Sequence, residues 1–154
     1  MSTIVIDQVT MMSEIAQLIS EGHSVTITAK GYSMNPFILH LKDEVTLGPW
    51  EDEMIKKGAV VLVKDSRGSF VLHRIIRRNG DHITLMGDGN LNITENAHIK
   101  DMIGIMKSVT KKRRTYKTDG LTWRLYSWFW LLITPIKRYP LGLWRRLHPQ
   151  QPLR

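Results

Sequence analysis

Three apolar segments rich in β-branched residues lie close together in the middle of the chain. They run over residues 59–64, 69–78 and 81–86, and the connections between them are only Asp65-Ser66-Arg67-Gly68 and Asn79-Gly80. Asn-Gly is typical of a type I′ hairpin turn, in which both central positions need positive φ. Connections this short join antiparallel strands, because a parallel crossover needs about a dozen residues or more. The sequence therefore predicts an antiparallel three-stranded meander within a mainly β fold.

A helix is predicted on the N-terminal side of this meander. Apolar residues recur at helical spacing over residues 8–21, with Asp7 placed to cap the helix and Gly22 placed to end it. From Ser24 the apolar period changes to two, which indicates a strand that leads into a turn around Ser33. Ser33 is therefore expected at the end of a strand.

The net charge of +8 is concentrated in the C-terminal part of the chain. Residues 1–110 contain 11 Lys and Arg against 13 Asp and Glu, whereas residues 111–154 contain 11 against one. A last strand is predicted over residues 99–109, with Gly104 as the expected position of a bulge or bend. We therefore expect one domain over residues 1–110, with its β body at 24–109, and a basic appendage over 111–154.

The chain contains no cysteine, which excludes a disulfide framework and thiolate metal sites. The histidines other than His73 lack a paired metal-ligand spacing such as His-Glu-x-x-His. The N-terminus lacks a basic segment followed by an apolar stretch, so no secretory signal is predicted. We therefore expect no metal and no cofactor. We also expect a protein at the cytoplasmic side of the membrane, with an extracytoplasmic site left open.

The appendage is rich in aromatic residues as well as in positive charge. A helix is predicted over residues 121–133, Pro135 and Pro140 are expected to break it, and residues 141–147 can form one or two further turns. The longest uncharged run there has twelve residues, whereas a spanning helix needs about 20. Peripheral contact with an anionic membrane is therefore one interpretation. The residues expected at the membrane are Trp123, Trp128, Phe129, Trp130 and Trp144.

Two other interpretations of the appendage stay open. Its helix can pack on the body or on a second subunit, although the sequence predicts no particular oligomeric state. Nucleic-acid binding through the basic residues 111–114 and the aromatic side chains has the least support, because no recognised motif accompanies the charge.

Ser33 and His73 form the candidate for chemistry. A serine hydroxyl is a poor nucleophile near neutral pH unless a base removes its proton during attack, and histidine is the usual base. Side chains alternate along a strand, so His73 shares a face with Val71 and Ile75 and must hydrogen-bond a partner there. Taken singly, a turn serine more often caps the local backbone, and a strand histidine more often packs in a core.

Four short motifs follow one another along the predicted β body. They are Gly31-Tyr32-Ser33-Met34-Asn35-Pro36-Phe37, Phe70-Val71-Leu72-His73-Arg74-Ile75, Met86-Gly87-Asp88-Gly89-Asn90 and Asp101-Met102-Ile103-Gly104. Together they resemble the signal peptidase I family and the related LexA-type self-cleaving repressors. The His-Arg pair is similar to the subgroup in which histidine is the base. The resemblance implies a LexA/signal peptidase-like β-ribbon fold, here with an N-terminal helix and a C-terminal helical appendage.

The resemblance implies a role for each matching residue. Ser33 matches the nucleophile, His73 matches the general base, and Asp88 matches the aspartate that orients the imidazole in the histidine subgroup. The oxyanion site would rest on the backbone around Ser33, with Gly31 and Met34 beside it. Gly31 stands where many signal peptidases carry a serine whose hydroxyl helps to bind the oxyanion.

Two further positions depart from the family pattern. Ala59 stands where the family has an aspartate before the third strand. The second acidic position after the Gly-Asp loop falls near Ile93 and Thr94, which leaves Glu95 or Asp101 as substitutes.

The resemblance implies a serine endopeptidase. Its substrate is expected to be a peptide or leader segment of another chain, because the sequence has no Ala-Gly or Cys-Gly bond of the kind that LexA-like proteins cut. The competing hypothesis is a non-catalytic module on the same fold that binds a membrane surface or a partner protein.

Overall fold

The computed structural model describes residues 7–149 as a mainly β fold built on one antiparallel sheet of eight strands. The strands are β1 (Val25–Thr28), β2 (Asp43–Gly48), β3 (Val60–Lys64), β4 (Phe70–Asn79), β5 (His82–Met86), β6 (Glu95–His98), β7 (Met102–Lys111) and β8 (Arg114–Lys117). The helices are α1 (Gln8–Ser20), α2 (Leu121–Leu132) and α3 (Arg138–Leu147). The strand order is β1-β2-β7-β3-β4-β5-β6, and β8 pairs with β7 outside this path.

The N-terminal helix is confirmed. The Asp7 carboxylate accepts a hydrogen bond from the Thr10 N–H at 3.4 Å, which caps the first turn of α1. Gly22 follows the last turn with a φ of +93°, a conformation that glycine adopts without steric cost.

The antiparallel meander of β3, β4 and β5 is confirmed, but the hairpin turn lies one residue later than predicted. Asn79 pairs with His82, so the central residues of the turn are Gly80 and Asp81 rather than Asn79 and Gly80. Of these two residues, Gly80 has the positive φ, at +59°. A single positive φ at the first central position is typical of a type II′ turn, which matches strand twist as well as type I′ does.

The sequence did not predict three of the strands, and each lacked a strong apolar pattern. β2 alternates apolar residues over only six positions, β6 contains one buried apolar residue, Ala97, and β8 is the polar edge segment Arg-Thr-Tyr-Lys. Their positions are set by pairing with longer neighbours rather than by local propensity. The predicted irregularity near Gly104 is present as a register shift between β3 and β7. Gly104 also makes room for the Ile19 side chain of α1, because a Cβ there would lie 2.7 Å from Ile19 Cδ1.

The sheet buries apolar side chains on both faces. Successive residues of β3 belong to different clusters: Val60 and Leu62 pack with α1 and Trp123, whereas Val61 and Val63 pack with Ile75 and residues of β5. A strand buried on both faces reads as a continuous apolar run, as β3 does. We call the side of Leu62 the helix side and the side of Val61 the outer side.

The C-terminal region is joined to the body. The boundary predicted between residues 110 and 111 falls inside β7, and β8 belongs to the sheet. Pro140 lies in the first turn of α3, where a missing N–H is tolerated, and so does not end the helix. Within residues 7–149, no helix is long and apolar enough to cross a membrane.

Candidate active site

His73 is buried on the outer side of the sheet, where it binds a glutamate. It shares a face of β4 with Val71 and Ile75, and it pairs in register with Val61. Its Nδ1 lies 2.7 Å from Oε2 of Glu95, and both side chains are almost fully buried. Glu95 is the first residue of β6, and its register with Leu85 points it to the same side as His73.

The other ring nitrogen of His73 is open. Within the described chain, Nε2 of His73 has no hydrogen-bond partner, and neither has Oγ of Ser33. The one fully buried side-chain polar atom without a partner among residues 7–149 is Oδ1 of Asn35. Neither Nε2 nor Oγ is therefore completely buried. No hydrogen bond joins Ser33 Oγ to His73.

Arg74, the next residue of β4, binds a different carboxylate on the helix side. Its Nε and Nη2 donate to the two carboxylate oxygens of Asp88, each at 2.7 Å. Its Nη1 donates to the carbonyl of Gly58 at 2.9 Å and to the hydroxyl of Ser127 at 2.7 Å. The guanidinium carbon also lies 5.1 Å from the Trp123 ring centre. Burial would lower the pKa of Arg74, but the charge and hydrogen bonds of Asp88, together with Tyr126, outweigh burial and raise the pKa above its ordinary value.

Asp88 therefore does not orient the imidazole, contrary to the role implied by the resemblance. Its carboxylate is held by Arg74 and by the Tyr126 hydroxyl, which donates to Oδ2 at 2.9 Å. Burial, followed by the negative charge of Asp88, raises the pKa of Tyr126, so the phenol keeps the proton that it donates. The carboxylate next to His73 comes from Glu95, one of the two substitutes left open by the sequence. The other, Asp101, is exposed and has no side-chain hydrogen bond among the described residues.

Ser33 lies in a turn that packs directly on the loop after β5. The Gly89 N–H donates to the Ser33 carbonyl at 2.7 Å. A Cβ on Gly87 would lie 2.4 Å from that carbonyl oxygen and 3.0 Å from the Ser33 Cβ. A Cβ on Gly89 would lie 2.5 Å from the Tyr32 carbonyl oxygen. Both positions must therefore be glycine for the serine turn to approach this closely.

This contact brings Ser33 to the end of β4 that carries His73. Met86, the last residue of β5, pairs with Arg74. Because the strands are antiparallel, the next residue, Gly87, falls at the register position next to His73. Ser33 packs against Gly87 at this point. The serine turn and His73 therefore lie at the same end of the β4–β5 pair, but the Met34 side chain of this turn packs in the helix-side cluster, on the face of the sheet opposite His73.

The backbone N–H groups of Ser33 and of the next residue lack an acceptor in the part of the chain that the structure describes. The N–H groups of Ser33 and Met34 donate no hydrogen bond within the described residues. Gly31 differs, because its N–H donates to Nδ1 of His40 at 2.8 Å while its φ is +99°. Gly31 shapes the turn, and the Met34 side chain is buried in the core.

No protein-family model, curated protein or solved structure matches this chain.

The C-terminal helices hold the loop that supports Ser33. The Trp130 indole N–H donates to the carbonyl of Asp88 at 3.1 Å. Arg145 donates to the carbonyl of Gly89 at 2.7 Å. A cleft of about 300 Å³ lies beside this loop; its lining residues are Leu91, Asn92, Thr134, Pro135, Lys137 and Arg138. The appendage therefore forms part of the candidate site, which charge and composition did not predict.

Lys137 brings a buried amino group to the same loop. Its Nζ lies 3.0 Å from Sδ of Met86 and 3.4 Å from the carbonyl oxygen of Gly87, and the side chain is almost fully buried. Burial lowers the pKa of Lys137, and the charge of Asp88 opposes that effect only in part. The sequence predicted a helix break at Pro135 and Pro140, but no sequence signal marked Lys137 itself.

The residues expected at a membrane divide into two groups. Trp128 and Phe129 are exposed, at 64% and 50% of their surface. Trp123 and Trp130 are instead buried, at 4% and 6%, where they contact Arg74 and Asp88. Trp144 is half-buried and stacks on His148. Membrane contact through Trp123 and Trp130 is therefore wrong for this structure.

Proposed function

We propose that this chain is a serine endopeptidase of the signal peptidase type, with Ser33 as nucleophile, His73 as general base and Glu95 as the residue that orients the base. The observation that carries the proposal is the buried hydrogen bond between His73 Nδ1 and Glu95, which leaves Nε2 open. A carboxylate on one ring nitrogen fixes the tautomer whose other nitrogen accepts a proton. The LexA/signal peptidase-like β-ribbon fold is part of this proposal.

In the proposed reaction, Nε2 of His73 takes the proton of the Ser33 hydroxyl as Oγ attacks the substrate carbonyl carbon. Glu95 accepts the hydrogen bond from Nδ1–H and stabilises the imidazolium. The imidazolium then gives its proton to the leaving amine as the peptide C–N bond breaks and an acyl-Ser33 ester forms. Water, deprotonated by His73, hydrolyses the ester and restores the hydroxyl.

The oxyanion of each tetrahedral intermediate would bind the backbone N–H groups of Ser33 and Met34, which have no partner within residues 7–149. Donors already oriented toward a developing charge need no reorganisation at the moment of reaction. Gly31 supplies no hydroxyl to this site. We therefore expect slower turnover than in an enzyme with a third donor, since one such donor contributes roughly 3 to 4 kcal/mol.

Although Ala59 stands where the family has an aspartate, the charge of the nearby Arg74 is balanced by Asp88. Arg74 makes four hydrogen bonds, to the Asp88 carboxylate, the Gly58 carbonyl and the Ser127 hydroxyl. A buried guanidinium with these partners does not require a second acid at position 59. The support around the candidate site is thus complete without the family's aspartate.

Peptide cleavage by the full chain tests the proposal. Purified protein is incubated with a complex mixture of peptides, and new termini are identified by mass spectrometry. The wild type is expected to produce a recurrent set of cleavages that Ser33→Ala abolishes while its thermal unfolding midpoint stays unchanged. Ser66→Ala, at an exposed turn serine, is the matched control and should cleave like the wild type. Retained turnover in Ser33→Ala would refute the mechanism.

The alternative, a non-catalytic binding module, is favoured by one observation. Ser33 Oγ and His73 Nε2 make no hydrogen bond to each other, whereas a nucleophile and its base lie about 2.6 to 3.2 Å apart in a productive complex and are often looser without a ligand. The module predicts no cleavage by folded wild-type protein. It also predicts equal partner binding by the wild type and Ser33→Ala.

A further inference from the structure

Helices α2 and α3 expose an unusual amount of apolar surface. Nine large apolar side chains between residues 121 and 147 are at least half exposed, whereas the much longer segment 7–120 has only three such side chains, all isolated. The nine residues are Leu121, Leu125, Trp128, Phe129, Leu132, Ile136, Tyr139, Leu143 and Leu147. We call this set the outward face. A concentration of this kind marks an interaction site on a protein surface.

The outward face follows helical periodicity and points away from the body. On α2 its members recur at i, i+4, i+7, i+8 and i+11, while the buried residues Trp123, Ser127 and Trp130 lie on the opposite side. On α3 its members recur at i, i+4 and i+8, while Leu141 is buried against the body. An ordinary surface helix has a polar outer face. Each of these helices instead has one apolar face in the core and a second one in solvent.

The charge on α2 and α3 themselves is of one sign. No Asp or Glu follows Asp119 in the sequence. The exposed charged side chains of α2 and α3 are Arg124, Arg138, Arg145 and Arg146. An apolar surface whose own helices carry exposed cations and no anion complements a partner with an anionic surface and an apolar interior, which describes a bilayer of acidic lipids. Trp128 and Tyr139 on the same face are residue types that favour the headgroup region.

We propose that the outward face of α2 and α3 docks on an anionic membrane, with both helices lying in the plane of the surface. With 12 and 10 residues, the two helices are too short to cross a bilayer and long enough to lie on it. Trp130 and Arg145 of the same helices hold the Asp88–Gly89 loop, so docking places the loop that supports Ser33 near the lipid surface. The proposal does not depend on peptidase activity.

Co-sedimentation with vesicles tests the docking. The full chain is mixed with vesicles of phosphatidylcholine alone or of equal parts phosphatidylcholine and phosphatidylglycerol. We expect at least about tenfold tighter binding to the anionic vesicles, since several basic residues act together, and weakening at high salt. Equal binding to both compositions, or no binding to either, would overturn the proposal.

Variants of the outward face give a second measurement. Leu125→Ser with Phe129→Ser is expected to reduce binding to the anionic vesicles by at least about tenfold, because two apolar side chains no longer enter the lipid. The matched control is Val9→Ser with Leu18→Ser, two exposed apolar residues of α1, which should bind like the wild type. Equal loss in both double variants would overturn the proposal. Thermal unfolding midpoints confirm that each variant is folded.

A charge variant covers the case in which the apolar variant does not fold. Arg138→Gln with Arg146→Gln changes only exposed side chains and should reduce the preference for anionic vesicles. An unchanged preference would overturn the proposal.

Sedimentation velocity tests whether a second copy of the chain, rather than a membrane, covers the outward face. The proposal would be overturned in favour of self-association if the wild type forms a dimer and does not bind vesicles, and if Leu125→Ser with Phe129→Ser makes the protein monomeric.

Discussion

Adjacent residues of β4 bind carboxylates on opposite sides of one sheet, and the two pairs differ in what they leave unused. Arg74 engages Asp88 with two hydrogen bonds, and its remaining donors reach Gly58 and Ser127. His73 engages Glu95 through one nitrogen and leaves the other open. The Arg74 guanidinium thus uses four of its five N–H donors, whereas His73 leaves a whole ring nitrogen without a partner among the described residues.

The Arg74–Asp88 pair is suited to a structural role. The pKa of Arg74 is raised because the charge and hydrogen bonds of Asp88, together with Tyr126, outweigh the effect of burial, so the guanidinium stays charged. Three residues of α2 complete the network: Tyr126 and Trp130 donate to Asp88, and Ser127 accepts from Arg74. Asp88 also precedes Gly89, whose N–H supports Ser33. This pair therefore fixes the frame on which the serine turn rests.

Glu95→Gln is expected to give the largest effect, and it tests whether the His73–Glu95 pair acts in catalysis. An amide at this position can select the wrong imidazole tautomer, and the corresponding change in a serine protease triad lowers kcat roughly 10⁴-fold. We expect a loss of at least about 10³-fold in the peptide cleavage rate with the unfolding midpoint little changed. Cleavage within about tenfold of the wild-type rate would remove Glu95 from the mechanism.

Asp88→Asn is expected to give the next largest effect, on stability. It leaves the buried Arg74 charge without its counter-ion, which typically costs about 3 to 5 kcal/mol in the free energy of unfolding. Urea denaturation measures the change. The matched control is Asp65→Asn, which removes a buried carboxylate whose ionic partner, Arg67, is largely exposed. Similar losses in the two variants would contradict the distinction between the pairs.

Lys137→Met tests a second buried cation on the Asp88 side. Burial lowers the pKa of Lys137, so between its folded and unfolded pKa values the unfolded chain binds more protons, and the free energy of unfolding rises with pH. We therefore expect the variant to be about 1 kcal/mol more stable than the wild type at neutral pH. The difference should shrink as pH approaches about 10, the ordinary lysine value. A less stable variant at neutral pH would show that the contact with Gly87 outweighs burial.

Asp101→Asn is expected to have the smallest effect. Asp101 is exposed and makes no side-chain hydrogen bond within the described chain, so the change should alter stability by less than about 0.5 kcal/mol. The cleavage rate should stay within about twofold of the wild-type rate. A loss of cleavage rate comparable to that of Glu95→Gln would assign the role of auxiliary acid to Asp101 rather than to Glu95.

Local pattern predicted the parts of the fold that carry strong periodicity. The Asp7 cap and Gly22 marked the ends of α1, and the β-branched runs marked β3, β4 and β5. The short strands β2, β6 and β8 depend on pairing partners that are distant in sequence, which periodicity cannot show. The hairpin turn moved by one residue because Gly80 tolerates positive φ at either central position.

The candidate site was predictable only in part for the same reason. Ser33 and His73 could be identified from motifs, but the choice between Asp88 and Glu95 depends on which side of the sheet each carboxylate faces. Glu95 faces the His73 side only because it pairs with Leu85, and this register was not visible before β6 was known. The contribution of Trp130 to the site was hidden by composition, since a Trp-rich basic segment reads first as a membrane surface.

Acylation of Ser33 tests the central claim most directly. The full chain is incubated with an acylating β-lactone, and intact-mass and peptide analysis follow the adduct over time. If His73 is the base, one adduct forms on Ser33 in the wild type and in Asp101→Asn, and forms at least about 100-fold more slowly in folded His73→Gln. A Ser33 adduct that forms at the same rate in His73→Gln, or an adduct that persists in Ser33→Ala, would contradict the account.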